Sequence, residues 1–138
     1  MKLAQIIYEI FESDAQWLDE DDSRQIHEID REIRLVDDEG QSTFISWSSD
    51  PVQYAIGIAD VRFFNEPIPV VRDMSDSELW KGLIGENITF NFEDTHHQVL
   101  KISFSDHTVY CWTSTFADMG FDILFISTER PDDIQQER

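Results

Sequence analysis

Regular alternation of apolar and polar residues in the C-terminal half is the feature that most constrains how this chain can fold. Residues 88–92 and 100–104 place a bulky apolar side chain at every second position. Residues 109–113 and 121–125 continue the strand-like pattern after a turn at residues 105–108. Alternation with a period of two is typical of an antiparallel sheet with one buried face and one wet face. The core predicted from the apolar positions comprises Ile45, Ile56, Leu79, Ile88, Phe90, Phe92, Leu100, Ile102, Phe104, Ile123 and Phe125.

The middle of the chain predicts further strands joined by glycine-containing turns. A β-like pattern begins at Ile33, and a turn around Gly40, where a positive φ is available, leads to a partner strand at residues 42–48. Gly57 lies within the next alternating run and indicates a bulge or a close approach. Two prolines in residues 60–75 favour an extended connection or an edge strand.

Two segments have the spacing of helices. In residues 2–12 the apolar side chains recur at helical intervals, which predicts a short amphipathic helix. A strand is the alternative, because Ile and Tyr also favour sheets. Ser75 and Glu78 have the spacing of a capping box and predict a short helix near residues 76–83.

Length and composition place these elements in one domain. The chain has 138 residues, near the commonest domain size, and 41% of them are hydrophobic. Cys111 is the only cysteine and is expected to be a small buried hydrophobe. We therefore predict a single α+β domain over residues 1–138, with a curved, mostly antiparallel sheet of about five or six strands, an N-terminal helix and the short helix near residues 76–83. The polar tail, residues 129–138, is expected to be frayed.

The strongly negative charge limits the classes of partner. The chain has 29 acidic and 10 basic residues, a formal net charge of −19. Repulsion from phosphates argues against binding to nucleic acid, and anionic membrane surfaces are disfavoured for the same reason. No apolar run is long enough to span a bilayer. We therefore expect a cytoplasmic protein with a basic protein as its partner.

No residue pattern predicts a catalytic, metal or cofactor site. His96 and His97 lie beside Glu93 and Asp94, but neighbouring residues of a strand point to opposite faces and are poor joint metal ligands. The acidic run at residues 19–22 lacks the alternating ligands and central glycine of a calcium loop. Neither a phosphate-binding glycine loop nor a nucleophile elbow occurs. We therefore expect a protein that is not an enzyme and needs no metal or cofactor.

The most acidic stretch is the candidate partner-binding surface. Residues 12–39 have twelve acidic residues against three basic ones, and a tryptophan precedes the densest run. Aromatic side chains anchor interfaces, while charges set association rate and specificity. The alternative is that the tryptophans belong to the core and the charge serves only solubility. The predicted partner-binding residues are Trp17, Asp19, Glu20, Asp21, Asp22, Asp37, Asp38 and Glu39.

Four segments carry a resemblance in general layout: residues 33–40, 44–47, 79–85 and 99–112. They make the chain similar to the small acidic immunity proteins that bacteria pair with secreted toxins, including those of contact-dependent inhibition systems. The resemblance implies a tight, reversible blockade of a cationic toxin domain, often a nuclease, by an acidic surface that stands in for substrate phosphates. It implies no particular topology, because such proteins have diverse folds, and no particular functional residues.

Two other classes of function remain open. A small-molecule binder or enzyme would have a pocket in the mouth of the curved sheet, formed by Tyr54, Trp80, Tyr110 or Trp112. A structural or assembly subunit would show an apolar edge strand and a symmetric dimer.

Overall fold

The described part of the protein is built mainly from β-strands, with almost no helix. The computed structural model describes residues 1–11, 26–48, 55–64, 69–93, 95–113 and 124–129. In these residues, 61% of positions are in β structure and 3% are helical. The predicted α+β class, with five or six strands and two helices, is therefore wrong. The predicted antiparallel pairing is confirmed, in two five-stranded sheets.

The first sheet has the strand order β5-β4-β3-β1-β6, and all of its neighbours pair antiparallel. Its strands are β1 (Leu3–Ile10), β3 (Glu32–Asp37), β4 (Ser42–Ser48), β5 (Ala55–Ala59) and β6 (Val70–Asp73).

The second sheet has the order β2-β10-β9-β8-β7, again fully antiparallel. Its strands are β2 (Ile26–Ile29), β7 (Thr89–Phe92), β8 (Val99–Phe104), β9 (His107–Thr113) and β10 (Leu124–Ser127). Buried apolar residues of both sheets form one core between the layers.

The predicted N-terminal helix is in fact a strand, β1. A local irregularity in this strand explains the error. Leu3 pairs with Asp37 and Gln5 pairs with Val36, so one residue of β1 is extra at this point of the ladder. This bulge lets Leu3 and Ile6 both reach the core although they are three positions apart. Spacing by three normally indicates a helix, which explains the wrong prediction.

The predicted helix near residues 76–83 is a series of turns that ends in a single 3₁₀ turn, Lys81–Leu83. Ser75 does not cap a helix. Its N–H and hydroxyl both donate to Oδ1 of Asp73, at 2.9 and 2.5 Å, and its Oγ accepts the N–H of Ile6 at 3.0 Å. The side chain thus extends the pairing between β1 and β6 rather than starting a helix.

The last strand was predicted with the wrong face inward. Leu124 and Ile126 are buried, whereas Phe125 is half-buried and stacks on Trp112 with ring centroids 5.6 Å apart. Ile123 lies outside the described residues. Other predicted core positions are confirmed as buried: Ile45, Ile56, Leu79, Ile88, Leu100 and Ile102. Three more are partly buried and pack against the core: Phe90, Phe92 and Phe104.

Several turn and edge predictions are confirmed. Gly40 has a φ of +83° in the turn between β3 and β4. Gly57 is a close approach, because a Cβ there would lie 3.0 Å from the ring of Phe63. The proline-containing region provides β6, an edge strand. Cys111 is fully buried, and burial raises the pKa of its thiol.

A crossover segment, residues 60–64, runs from β5 over the outer face of the first sheet, and β6 lies at the opposite edge. Arg62 donates to both carboxylate oxygens of Glu9, at 2.7 and 2.9 Å. The N–H of Phe63 donates to Oε1 of Glu32 at 2.9 Å. Glu9 and Glu32 are both buried beneath this segment.

The two sheets are connected at a tight corner between β2 and β3, formed by Asp30 and Arg31. The buried guanidinium of Arg31 lies 5.3 and 5.7 Å from the ring centroids of Phe11 and Phe64, and donates to the Phe64 carbonyl at 3.2 Å. The cation thus exchanges its water shell for two aromatic rings and a backbone acceptor.

Candidate functional site

One end of the first sheet gathers several chain segments that carry exposed carboxylates. The turn after β3 lies beside the N-terminus, because the N–H of Asp38 donates to the Lys2 carbonyl at 3.1 Å. The connection from β6 to β7 passes the start of β1, where the N–H of Leu3 donates to the Glu86 carbonyl at 3.0 Å. The order of the elements thus brings distant parts of the sequence together here.

The second sheet contributes its β8–β9 turn to the same end. A Cβ at Gly82 would lie 2.9 Å from Nδ1 of His107, at the start of β9, so these two segments touch. We call this region the acidic end and define it by eight carboxylates: Asp37, Asp38, Glu39, Asp73, Asp76, Glu78, Glu86 and Asp106.

The turn between β3 and β4 holds three of the predicted binding residues in a fixed geometry. Oδ1 of Asp37 accepts the N–H groups of Glu39 and Gln41, both at 2.9 Å, so this carboxylate closes the turn. Asp38 and Glu39 are exposed. The structure therefore separates a positioning role for Asp37 from a surface role for its two neighbours.

A second part of the acidic end is equally well ordered. Oδ1 of Asp73 accepts both polar hydrogens of Ser75, and Oδ2 accepts the side-chain amide of Gln5 at 3.2 Å. The hydroxyl of Ser75 is the main cause that lowers the pKa of Asp73. This carboxyl group therefore keeps its negative charge in mildly acidic solution.

Positive charge offsets the acidic end only in part. Lys81 donates to Glu78 at 2.8 Å in an exposed pair, and Lys2 is the other lysine of these segments. Eight carboxylates against two lysines leave a formal excess of six negative charges. The surface is suited to attract a cationic protein face.

The other predicted binding residues are not placed by the structure. Trp17, Asp19, Glu20, Asp21 and Asp22 lie outside the described residues. The structure therefore brings Asp37, Asp38 and Glu39 together with other acidic residues, but not with the predicted tryptophan anchor.

A buried hydrogen-bonded chain, which the sequence analysis did not predict, connects the two sheets. Nε1–H of Trp80 donates to the hydroxyl of Tyr8 at 2.8 Å, and that hydroxyl lies 2.6 Å from Nδ1 of His27. All three side chains have 0% exposure, and burial raises the pKa of Tyr8. Because a substrate cannot reach them, these groups support the core. The sequence contains only a weak indication of this chain: His27 and the apolar Ile29 are two positions apart and therefore lie on the same face of β2.

A buried carboxylate beneath the crossover segment is the second feature that was not predicted. Burial is the main cause that raises the pKa of Glu32, and the N–H of Phe63 opposes this shift. The Nε of Arg31 lies 3.7 Å from Oε2 of Glu32, too far for a hydrogen bond. This arrangement anchors the crossover segment.

A shallow groove of about 340 Å³ runs along β5. Three of the side chains proposed for a small-molecule pocket do not line it: Trp80 and Trp112 are buried and Tyr110 is half-buried. The fourth, Tyr54, lies outside the described residues. The groove is lined instead by residues of β5 and by aromatic rings of neighbouring segments.

His97, in the β7–β8 turn, has structural contacts. The ring of His97 stacks on Phe92 with centroids 4.0 Å apart, and its carbonyl accepts the N–H of Ile56 at 2.7 Å. Asp94, the neighbouring carboxylate, lies outside the described residues. Within the described part of the chain, no three His, Cys, Asp or Glu side chains are grouped as metal ligands would be.

Comparison with known proteins gives no relative: no family model, curated protein or solved structure matches this chain. The described ranges also contain no helix with the length and apolar character needed to cross a bilayer.

Proposed function

We propose that this protein is a non-catalytic binding protein that neutralises a basic partner protein, and that it acts in the cytoplasm as an immunity protein against a cationic toxin domain. The acidic end is the observation that supports this proposal. It comprises eight carboxylates and two lysines on turns and strand ends, and backbone hydrogen bonds join the β3–β4 turn and the β6–β7 connection to the start of β1.

The rigidity of this surface favours recognition over simple solubility. The Asp37 carboxylate fixes the turn that presents Asp38 and Glu39, and Ser75 and Gln5 fix Asp73. Charges held in one arrangement cost little conformational entropy on binding and favour a partner with matching cations. A solubility surface needs no such arrangement.

Mutual repulsion of the carboxylates gives a second argument. A formal excess of six negative charges at one end destabilises the free protein, and a cationic partner relieves that repulsion. If the partner is a nuclease, the same carboxylates occupy the region that phosphates of its substrate would occupy, as the resemblance to immunity proteins implies.

The perturbed titratable groups support structure rather than catalysis. Tyr8, Glu32 and Cys111 have raised pKa values because they are buried. Tyr8 connects the two sheets, Glu32 binds the crossover segment, and Cys111 belongs to the core. A catalytic acid or base needs access to its substrate. These groups therefore favour no enzymatic alternative.

Charge reversal tests the proposal. The partner is recovered from the source cells with the tagged protein as bait and is then titrated against purified variants. Asp38→Lys with Glu39→Lys should weaken binding by about tenfold or more, because both side chains are exposed at the acidic end. The matched control, Glu28→Lys with Glu129→Lys, has the same net charge and alters the β2–β10 side of the second sheet.

The control pair should change affinity by less than about threefold, and wild-type binding should weaken between about 50 and 300 mM salt. Equal weakening by both pairs would mean that only net charge matters. A recovered partner that is not basic, or affinity that ignores salt, would refute the proposal.

A further inference from the structure

The groove along β5 lies beside a strand edge that no other described strand covers. Residues 56–59, four consecutive positions of β5, line it, and the rings of Phe63, Phe92 and His97 form its walls. The cavity follows the strand for most of its length and has about 340 Å³ of space, enough for one or two large side chains.

The register shows which backbone groups face the groove. The N–H of Ile56 donates to the His97 carbonyl, so it points away from β4. In an antiparallel pair these directions alternate, so the N–H and C=O of Ile58 also point away from β4, while Gly57 faces Ser46. In the part of the chain that the structure describes, no strand pairs with this edge of β5.

The side chains at this edge are unusually apolar for an exposed position. Ile58 is 40% exposed and Val61, in the crossover segment, is 66% exposed. Natural edge strands are normally protected by charges, proline or a covering segment. Among the described residues, the turn that carries His97 protects the Ile56 end of β5 and leaves the Ile58 end uncovered.

The charges around the groove indicate the chemistry of its occupant. Asp60 directly follows Ala59, a residue that lines the groove. Arg62 is near in sequence, but its guanidinium binds both oxygens of Glu9. A second copy of this chain, with a net charge of −19, would be repelled. An extended segment with alternating basic and apolar residues fits better.

We propose that a basic, extended segment of the partner protein pairs with the open edge of β5 and extends the first sheet, with an apolar side chain in the groove. Its backbone bonds to the N–H and C=O of Ile58, and its basic side chains lie near Asp60. The partner's charge rests on the proposed function, whereas the strand pairing rests on the groove itself.

Synthetic peptides test the pairing on the full-length protein. The probe is a capped peptide of about seven alternating Lys and Val residues, titrated while backbone amides are followed by NMR. It should shift the amides of Gly57, Ile58 and Val61. A copy with alternate backbone N-methyl groups keeps the charge but cannot pair, and should bind at least about tenfold more weakly. A Glu/Val copy should not bind.

Matched variants locate the edge. Ile58→Lys should weaken binding of the Lys/Val peptide, whereas Val71→Lys on β6, the opposite edge of the same sheet, should not. Circular dichroism shows whether each variant folds, and the N-methyl comparison needs no variant at all.

Equal binding of the N-methylated peptide, or shifts confined to the acidic end, would overturn the pairing and leave the proposed function standing. Peptide-induced or spontaneous pairing of two copies through β5 would also overturn it. Strand pairing by the Glu/Val peptide would contradict the basic occupant and, with it, the charge argument for the function.

Discussion

Replacing Tyr8 by phenylalanine is the sharpest test of the interior of this protein. The change removes one oxygen and leaves the ring in place. That oxygen accepts the indole N–H of Trp80 at 2.8 Å and lies 2.6 Å from Nδ1 of His27, and all three side chains are fully buried. Tyr8→Phe therefore takes the hydrogen-bond partner from two groups that water cannot reach.

The expected loss follows from these two contacts. Each buried polar group left without its partner costs about 1–3 kcal/mol, so Tyr8→Phe should lower the free energy of unfolding by about 2–6 kcal/mol. This is a large share of the roughly 5–15 kcal/mol that stabilises a typical domain. Tyr110→Phe, at a half-buried position, is the control and should cost less.

Urea unfolding followed by tryptophan fluorescence measures both values, provided that the variants do not change the slope of the free energy of unfolding against urea concentration. A double-mutant cycle with Trp80→Phe isolates the contact and should give a coupling energy of about 1 kcal/mol or more. A loss below about 0.5 kcal/mol for Tyr8→Phe, or a loss equal to that of Tyr110→Phe, would show that the chain does not stabilise the core.

Two further predictions concern the crossover segment. Because the pKa of Glu32 is raised, its contribution to stability is present below the ordinary carboxyl range and is lost as pH rises through the folded-state value. Between acid and neutral pH, the free energy of unfolding of Glu32→Gln should therefore rise relative to that of wild type, as measured by urea titrations. A difference between the two proteins that does not change with pH would contradict this. Gly57→Ala places a Cβ 3.0 Å from the Phe63 ring and should cost about 1–3 kcal/mol. The thermal midpoint should fall less when Phe63 is first replaced by Leu.

The hairpins could be predicted from sequence because their signals are local. Apolar side chains alternate on β7 and β8, and Gly40 supplies the positive φ that the β3–β4 turn requires. Each of these signals depends on neighbours within a few residues, and no distant contact alters it.

The helix and face errors have physical causes that a single sequence hides. The extra residue between Leu3 and Gln5 changes the spacing of buried residues in β1 from two to three. In β10, apolar side chains occupy both parities, so alternation cannot decide whether Leu124 or Phe125 faces the core. Only the partner strands settle which face is buried.

The polar contacts were hidden because they join residues far apart in the chain. Trp80 meets Tyr8 across 72 positions, and Arg62 meets Glu9 across 53. The acidic end is assembled in the same way. The sequence therefore predicted Asp38 and Glu39 as binding residues, but it did not predict their companions from the β6–β7 connection.

The corner at Asp30 and Arg31 sends consecutive strands into different layers, since β2 belongs to the second sheet and β3 to the first. The C-terminal strand β10 needs β2 as its neighbour, so the last strand of the chain is completed by one of the first. A cut in the middle of the chain would give two fragments, each lacking a strand of one layer. The smallest unit able to bury its own apolar surface is thus the complete pair of sheets. Such fragments should therefore be stable only when they reassociate.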